Sequence, residues 1–420
     1  MKTSNGFGQI GKDTLVNIVG TTLVGFVGLV FYILVARFLG PSQFGIFSVA
    51  VSLLVVVSDI FDLGTNTGIV KFVSEAIGQK DFEKAKKIAA IAFSLKLTIG
   101  LFILVIGILA AKPLAVYIFG VPALTPNLAL AFLGVLIILV LGFFTSLFQA
   151  YKKFIQAVFI NLTSNLLRLL FIAILAAYGK ITTEIVMLSF VLSPLVGVLI
   201  GYFKSPLNFF QSEFDKDLIY RFVGFNKWIA VGFILAAIQV RLPNFLLIRL
   251  SDSNQTGLFS AASLILLFAP QIAAAISITF APRFSEVKDL SQLKIFLKKI
   301  IFLSLIFASF SLILVPFAAS VLNLTVGSEF EKARTTFQIL AIASFFIISS
   351  VPQITTIIYY WSNPRFFAVL SIVQFIIVFV LNMILIPNFG AVGSAVAALS
   401  SAVLGFLLSS FYLLARWQTK

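Results

Sequence analysis

The sequence predicts an all-α polytopic membrane protein: twelve transmembrane helices forming two parallel six-helix lobes around a central cavity. Three observations predict it. First, 60% of the 420 residues are hydrophobic and only 11% are charged, against about 25% charge in a soluble domain. Second, apolar runs long enough to cross a bilayer recur from end to end. Third, the chain repeats itself weakly. Shifted by 212 residues, Gly45, Phe47, Ser48, Ala50, Leu54, Ile60, Thr67, Phe72, Lys86, Lys87 and Ile88 fall on Gly257, Phe259, Ser260, Ala262, Leu266, Ile272, Thr279, Phe284, Lys298, Lys299 and Ile300, which is 11 identities in 44 ungapped pairs. Six helices is an even number, so both copies insert with one orientation. The lobes are then 1–210 and 211–420.

Taken in order, the helices are expected at Asp13–Phe38, Phe44–Val73, Ala85–Ala111, Pro122–Tyr151, Phe154–Tyr178, Thr182–Phe203, Leu218–Leu250, Gln255–Phe280, Ser291–Leu322, Glu329–Trp361, Pro364–Ile386 and Ala391–Ala415. The first ends at Arg37, where a cation meets the negative end of the helix dipole and the headgroups. Gly40-Pro41 stops it, because glycine takes backbone angles past a helix end and proline lacks the N–H to continue. Ser42 is placed to cap the second. Arg249 returns at the same 212 offset from Arg37, and both read as interface anchors. Asn17, Thr21, Gly25 and Gly28 line one side of the first helix, a pattern for close helix packing. Pro352-Gln353 and Thr355-Thr356 predict a kink in the tenth helix, with hydroxyls able to meet sugars. The polar stretch from Lys204 to Lys227 reads as a linker between the lobes. Lys and Arg divide 21 to 7 between the two sides, with Lys96 and Arg168 inside helices. That bias places both termini in the cytoplasm and the chain in the cytoplasmic membrane. The first fourteen residues are polar and lack a signal-peptide cleavage pattern.

Composition excludes several functions. There is no cysteine and no histidine, which removes thiolates, disulfides, the usual general base and the usual zinc ligand. No metal site is expected. Every loop is short, so an enzyme such as a polysaccharide polymerase has nowhere to carry its acids, and the chain is read as no enzyme. The formal charge of +15 sits in short loops between apolar runs and is topological, with no nucleic-acid partner.

The candidate residues are the polar ones at membrane depth. Asp59, Asp62 and Asn66 stand at i, i+3 and i+7 on the second helix, with Asp59 ~22 Å along the axis from Phe44. An Asp at helix centre costs about 2.5–3.5 kcal/mol on insertion scales and needs water, a cation or a partner. Asp59 is therefore a cation or substrate site, a structural partner of Arg168, or a protonated carboxyl bonding a neighbouring helix. Asp62, nearer the cytoplasm, joins that site or braces the helix end. On the fifth helix Asn161, Asn165 and Arg168 form a second stripe. Arg168 lies ~21 Å from Phe154, too deep to snorkel easily. It binds substrate, since guanidinium grips phosphate through paired hydrogen bonds, or it pairs with Asp59 or Asp62. Arg241, with Pro243 and Asn244, occupies the outward half of the seventh helix as a substrate or gate candidate beside a proline kink. Lys96 lies about 16 Å into its helix, and its stem is expected to carry the charge to the cytoplasmic interface. Intramembrane Arg and Asp argue against a non-transporting scaffold.

A family resemblance adds to this. Arg37 to Ser48 resembles the first loop of the polysaccharide transporter (oligosaccharide flippase) family, within the multidrug/oligosaccharidyl-lipid/polysaccharide exporter superfamily. Asp62-Leu63-Gly64, followed by Lys71 and Ser74-Glu75, is similar to its second helix. Gly257-Leu258-Phe259-Ser260-Ala261-Ala262 resembles the start of its eighth helix, and Pro387-Asn388-Phe389-Gly390-Ala391-Val392-Gly393-Ser394-Ala395 its last hairpin. Where many members carry an Asp in the seventh helix, this chain has Asn244. The resemblance implies a flippase moving lipid-linked oligosaccharides across the cytoplasmic membrane by alternating access. Its implied partners are membrane lipid, the lipid-linked oligosaccharide, and glycan polymerases and glycosyltransferases. No cofactor is implied, and a coupling cation is the one candidate. The alternative on the same scaffold is a cation-coupled exporter of drugs or other small molecules.

Overall fold

The structure is a computed structural model that describes residues 4–179, 181–206, 208–209, 218, 222, 238–286 and 289–418. Among these residues every regular element is helical. In chain order the helices are α1 (4–39), α2 (41–62), α3 (Thr65–Gly78), α4 (Phe82–Pro113), α5 (Thr125–Ala150), α6 (Phe154–Ala177), α7 (Thr183–Phe203), α8 (238–250), α9 (Ser253–Ile265), α10 (Phe268–Glu286), α11 (Leu290–Ile313), α12 (Ala318–Thr325), α13 (Arg334–Ser349), α14 (Val351–Thr355), α15 (364–389) and α16 (391–418).

Nine helical runs among the described residues are apolar and long enough to cross a bilayer. Two of them are double. Val19–Asp62 has 44 residues and Arg365–Trp417 has 53, roughly 66 and 80 Å at ~1.5 Å per residue, against a hydrocarbon core of about 30 Å. Each divides at a glycine: Gly40 (φ 68°, ψ 172°) and Gly390 (φ 53°, ψ −128°). These are the stops expected at Gly40-Pro41 and before Ala391. The expected seventh helix, Leu218–Leu250, lies largely outside the described residues, as do the linker's acidic residues and the expected lobe boundary at 210/211. The twelve-crossing expectation fits what remains.

Several expected helices are interrupted. The second, expected unbroken over Phe44–Val73, stops at Asp62 and restarts at Thr65. Leu63 (φ 51°) and Gly64 (φ 71°) both take left-handed backbone. The eighth is broken at 266–267 and the ninth at 314–317. The tenth is interrupted at Ser350 beside Pro352, and a π-helical turn follows at Thr356–Tyr360. The break in the tenth lies at the kink expected from Pro352; hydropathy windows do not register the other three, each of which begins with a leucine.

Contacts sort the chain into two compact units. One comprises Met1–Leu39 and Ile46–Arg241; the other comprises Gly40–Gly45 and Leu242–Lys420. The core of the first gathers α3, α4 and α5 around Phe143, Phe144, Leu147 and Phe148. The core of the second gathers α10 and α11 around Phe284, Leu293 and Leu297. In the second unit the segment Gly40–Gly45 meets the start of α9. A Cβ on Gly45 would stand 1.9 Å from the Ser253 carbonyl oxygen, and one on Gly257 would stand 1.8 Å from that of Pro41. The two glycines, and the two carbonyl-bearing residues, are each related by the 212-residue shift, so the crossing is reciprocal. The Ser42 and Ser253 hydroxyls share a hydrogen bond of 2.7 Å there. In α1, Gly20 packs on Val158 and Gly28 faces Asn165, but nothing lies within 4 Å of a Cβ on Gly25. The small-residue packing expected along that side therefore omits Gly25.

Candidate functional site

The break in the second helix carries the first part of the site. Where the backbone turns left-handed, the amides that restart the helix lose their intrahelical acceptors. Asp62 supplies one: its Oδ2 accepts the Asn66 backbone N–H at 3.3 Å, and its Oδ1 accepts the Thr65 hydroxyl at 3.1 Å. Leu63 in this conformation costs about 1–2 kcal/mol, so the surroundings must hold it. They do so partly through charge. The Lys96 ammonium of α4 donates to Asp62 Oδ1 in a salt bridge, with the Lys96 side chain 1% exposed and that of Asp62 17%. This corrects the expectation that Lys96 reaches the cytoplasmic interface: its stem runs inward, to the carboxylate that caps the broken helix. Gly64 and Thr65 are buried, as irregular backbone at membrane depth must be when it lines no water.

The second part is the stripe on α6. Asn161 Nδ2 donates to Thr145 Oγ1 (3.1 Å) and to the Ala157 carbonyl (2.8 Å), and Asn165 Nδ2 donates to the Asn161 carbonyl (3.0 Å). Arg168 donates through Nε to the Phe190 carbonyl and through Nη1 to Asn165 Oδ1, both at 3.2 Å. Its guanidinium lies 3.9 Å from the centroid of the Phe190 ring, a cation–π stack. Phe31, Tyr32 and Phe47 surround that ring at 5.8–6.0 Å between centroids. The ion pair of Arg168 with Asp59 or Asp62 is not formed: among the described residues no carboxylate bridges Arg168, and Asp62 is held by Lys96. Among the described residues two of the five guanidinium N–H groups find protein acceptors, which leaves three there to donate.

Adjacent residues of α5 tie the two parts together. Thr145 receives the Asn161 amide, and Ser146 donates to Asn66 Oδ1 at 3.0 Å. Asn66 packs closely against Gly142 one turn earlier. Sequence reasoning missed Thr145, Ser146, Tyr32 and Phe190, and sent Lys96 to the wrong place. The visible signal for two of them was a Thr-Ser pair about twenty residues into the otherwise apolar α5. Asp59 stands exposed on α2, and the positive charge of Arg241 acts on it without a salt bridge. Arg241 also acts on Tyr32. Asn244 belongs to the second unit, where it is buried and accepts the Ser260 hydroxyl at 3.2 Å. In that unit the polar groups of α14 and the π-helical turn after it bond to neighbouring helices and backbone: Gln353 to Ser410, Thr355 to Ser277, and Thr356 to the Pro352 carbonyl.

The arrangement has a chemical sense. Asp62 is neutralised by Lys96 and also fixed by amide and hydroxyl donors, which leaves it little capacity for a further cation. Arg168 is fully charged, locked over an aromatic ring and short of acceptors. A membrane-depth guanidinium with unused donors suits an anion.

Comparison with known proteins agrees with this fold. Over residues 10–288 the chain matches the family described as "Polysaccharide biosynthesis protein". It is 20% identical over 410 residues to a putative O-antigen transporter of Shigella flexneri, covering 95% of this chain and 96% of that one. It is 24% identical over 427 residues to an uncharacterized membrane protein of Methanocaldococcus jannaschii, covering 96% and 97%. Among solved structures it resembles the lipid II flippase MurJ (TM-score 0.76, 14% identity, covering 95% of this chain and 87% of that one). It also resembles a multidrug resistance MATE family transporter of the MOP superfamily (TM-score 0.74, 16% identity, 96% and 99%). With its match spanning about two thirds of the sequence, the chain belongs to the polysaccharide biosynthesis protein family.

Proposed function

We propose that this protein is a flippase that moves a lipid-linked oligosaccharide across the cytoplasmic membrane by alternating access. The observation that carries the reading is Arg168, a membrane-depth guanidinium that among the described residues has no carboxylate partner and donates only to the Phe190 carbonyl and Asn165 Oδ1. A lipid-linked glycan brings a phosphate that cannot pass through hydrocarbon bare. Fixed guanidinium groups replace its lost water, each charge-assisted bond contributing about 1.5–3 kcal/mol. Arg241 is the second cation; Asn165 orients Arg168 through its Oδ1, and the Asn161 backbone carbonyl holds Asn165. Asn244 is a separate substrate-binding candidate within the second unit. Asp59 offsets the charge of Arg241 when substrate is absent. The O-antigen transporter and lipid II flippase relatives support the substrate class, while the multidrug relatives fit a cation-coupled exporter of small molecules. Purified protein in vesicles separates the two. The flippase reading expects a lipid-linked oligosaccharide to become accessible to an impermeant reagent on the opposite face. Efflux of a cationic dye without any glycan flipping would overturn it.

In this reading both termini are cytoplasmic, and glycosyltransferases and a glycan polymerase act before and after transport. Because the chain has no cysteine, introduced ones are clean reporters of orientation. Ser42→Cys and Ser251→Cys are expected to react with an impermeant thiol reagent in intact cells, and Lys152→Cys and Ser362→Cys are not. The reverse pattern would invert the topology.

A further inference from the structure

At one end of the first unit, α5 finishes, α6 begins and α7 finishes, and a groove opens between them. It has a volume of about 210 Å³ and is walled by Ile155, Phe159, Ile160 and Ile200, with Gln156 and Lys204 as its polar groups. The wall is apolar and partly bare: Ile155 is 64% and Phe159 46% exposed, and Phe203 at the end of α7 is 79% exposed. The Lys204 ammonium lies 5.3 Å from the Phe159 ring centroid, so it stands at the mouth of the apolar wall. Lys152 and Lys153 occupy the turn between α5 and α6 at the same end, both exposed. Among the described residues no carboxylate bridges any of these three lysines. Among the described residues Gln156 makes no side-chain hydrogen bond. The start of α6 has no side-chain cap, so its positive dipole end adds to the same field.

We propose that this groove binds an anionic phospholipid of the surrounding leaflet. The headgroup phosphate is held by Lys204 and Gln156, with Lys152 and Lys153 adding attraction, and an acyl chain lies along Ile155, Phe159 and Ile200. Charge complementarity selects the occupant. Three cations that no carboxylate bridges among the described residues favour an anion, and a bare apolar wall beside them favours an anion that carries a hydrocarbon tail. The groove is separate from the Arg168 cluster and does not depend on what that cluster transports.

The test uses the full chain in nanodiscs, with native mass spectrometry counting retained phosphatidylglycerol against phosphatidylcholine. Wild type is expected to retain phosphatidylglycerol preferentially. Lys204→Gln is expected to weaken that preference about fivefold, the effect of one lysine near an anionic surface, with the thermal midpoint unchanged. Equal retention of the two lipids by wild type, or an unchanged preference in Lys204→Gln, would overturn the site. Soluble glycerol phosphate displacing the lipid would reduce it to a simple anion site. A polyprenyl phosphate outcompeting phosphatidylglycerol would show that the occupant is transport substrate and overturn the assignment to bulk lipid. Should Lys204→Gln fail to fold, a photoactivatable phosphatidylglycerol on wild type decides. Adducts at 155–160 are expected, and adducts confined to the exposed face of α4 around Leu101 and Val105 would refute the groove.

Discussion

Asp62→Asn is expected to destabilise the first unit by about 3–5 kcal/mol, the usual consequence of leaving a buried charge without its partner. The substitution is chosen to isolate the charge. An asparagine oxygen can still accept the Asn66 N–H, so the cap on the restarted helix survives while Lys96 loses its counter-ion. With Lys96 only 1% exposed, no water reaches the ammonium to replace the carboxylate. Lys96→Met is expected to cost less, because the Asp62 side chain retains 17% exposure and recovers some solvation. The double variant Asp62→Asn/Lys96→Met removes both charges and is expected to recover most of the loss. Thermal midpoints of the four proteins in detergent measure the cycle. A double variant no better than Asp62→Asn alone would show that the two side chains do not act as a pair.

Gly257→Ala carries the second large effect. The added Cβ would stand 1.8 Å from the Pro41 carbonyl oxygen and 2.7 Å from its carbon. The obstacle is backbone, which cannot rotate away as a side chain can. Overpacking typically costs 1–3 kcal/mol, and a clash between two helix starts belongs at the top of that range or above. Gly45→Ala, 1.9 Å from the Ser253 carbonyl oxygen, is expected to behave alike. Gly25→Ala is the control. With nothing within 4 Å, it is expected to gain roughly 0.5–1 kcal/mol from helix propensity. Folded yield and thermal midpoint read all three. Wild-type stability in Gly257→Ala would mean the helix starts are not in close contact.

These residues show what a sequence can reveal. Gly45 and Gly257 were visible as matched positions of the repeat, because identity under a shift needs no structure. Their purpose was not visible, because it depends on which carbonyl approaches each glycine. Gly40-Pro41 and the turn before Ala391 were readable, since glycine and proline impose their geometry locally. The Leu63–Gly64 break was hidden. A leucine in left-handed backbone is held there by tertiary contacts, and Asp62-Leu63-Gly64 offered only a short polar-apolar-glycine signal inside a helical run. Lys96 was misplaced for a related reason. A long stem permits either an outward or an inward path, and only the neighbouring Asp62 decides. Asp59, Asp62, Asn161, Asn165, Arg168 and Arg241 stood out because polar groups at membrane depth are expensive. Their partners Thr145, Ser146 and Phe190 did not, because hydroxyls and aromatics are ordinary in such helices.

The central claim is that membrane-depth arginines hold an anionic substrate head. The most direct measurement is the rate of lipid-linked oligosaccharide flipping in vesicles containing wild type, Arg168→Ala, Arg168→Lys, Arg241→Ala or Asp59→Asn, each first shown to be folded. A loss of at least about tenfold is predicted for either alanine variant, as expected when a charge-assisted bond of about 1.5–3 kcal/mol disappears. Arg168→Lys is predicted to restore part of the rate, because the charge returns without the bidentate fork. Full flipping in both alanine variants, together with none in Asp59→Asn, would contradict the account and point to a cation-coupled exporter.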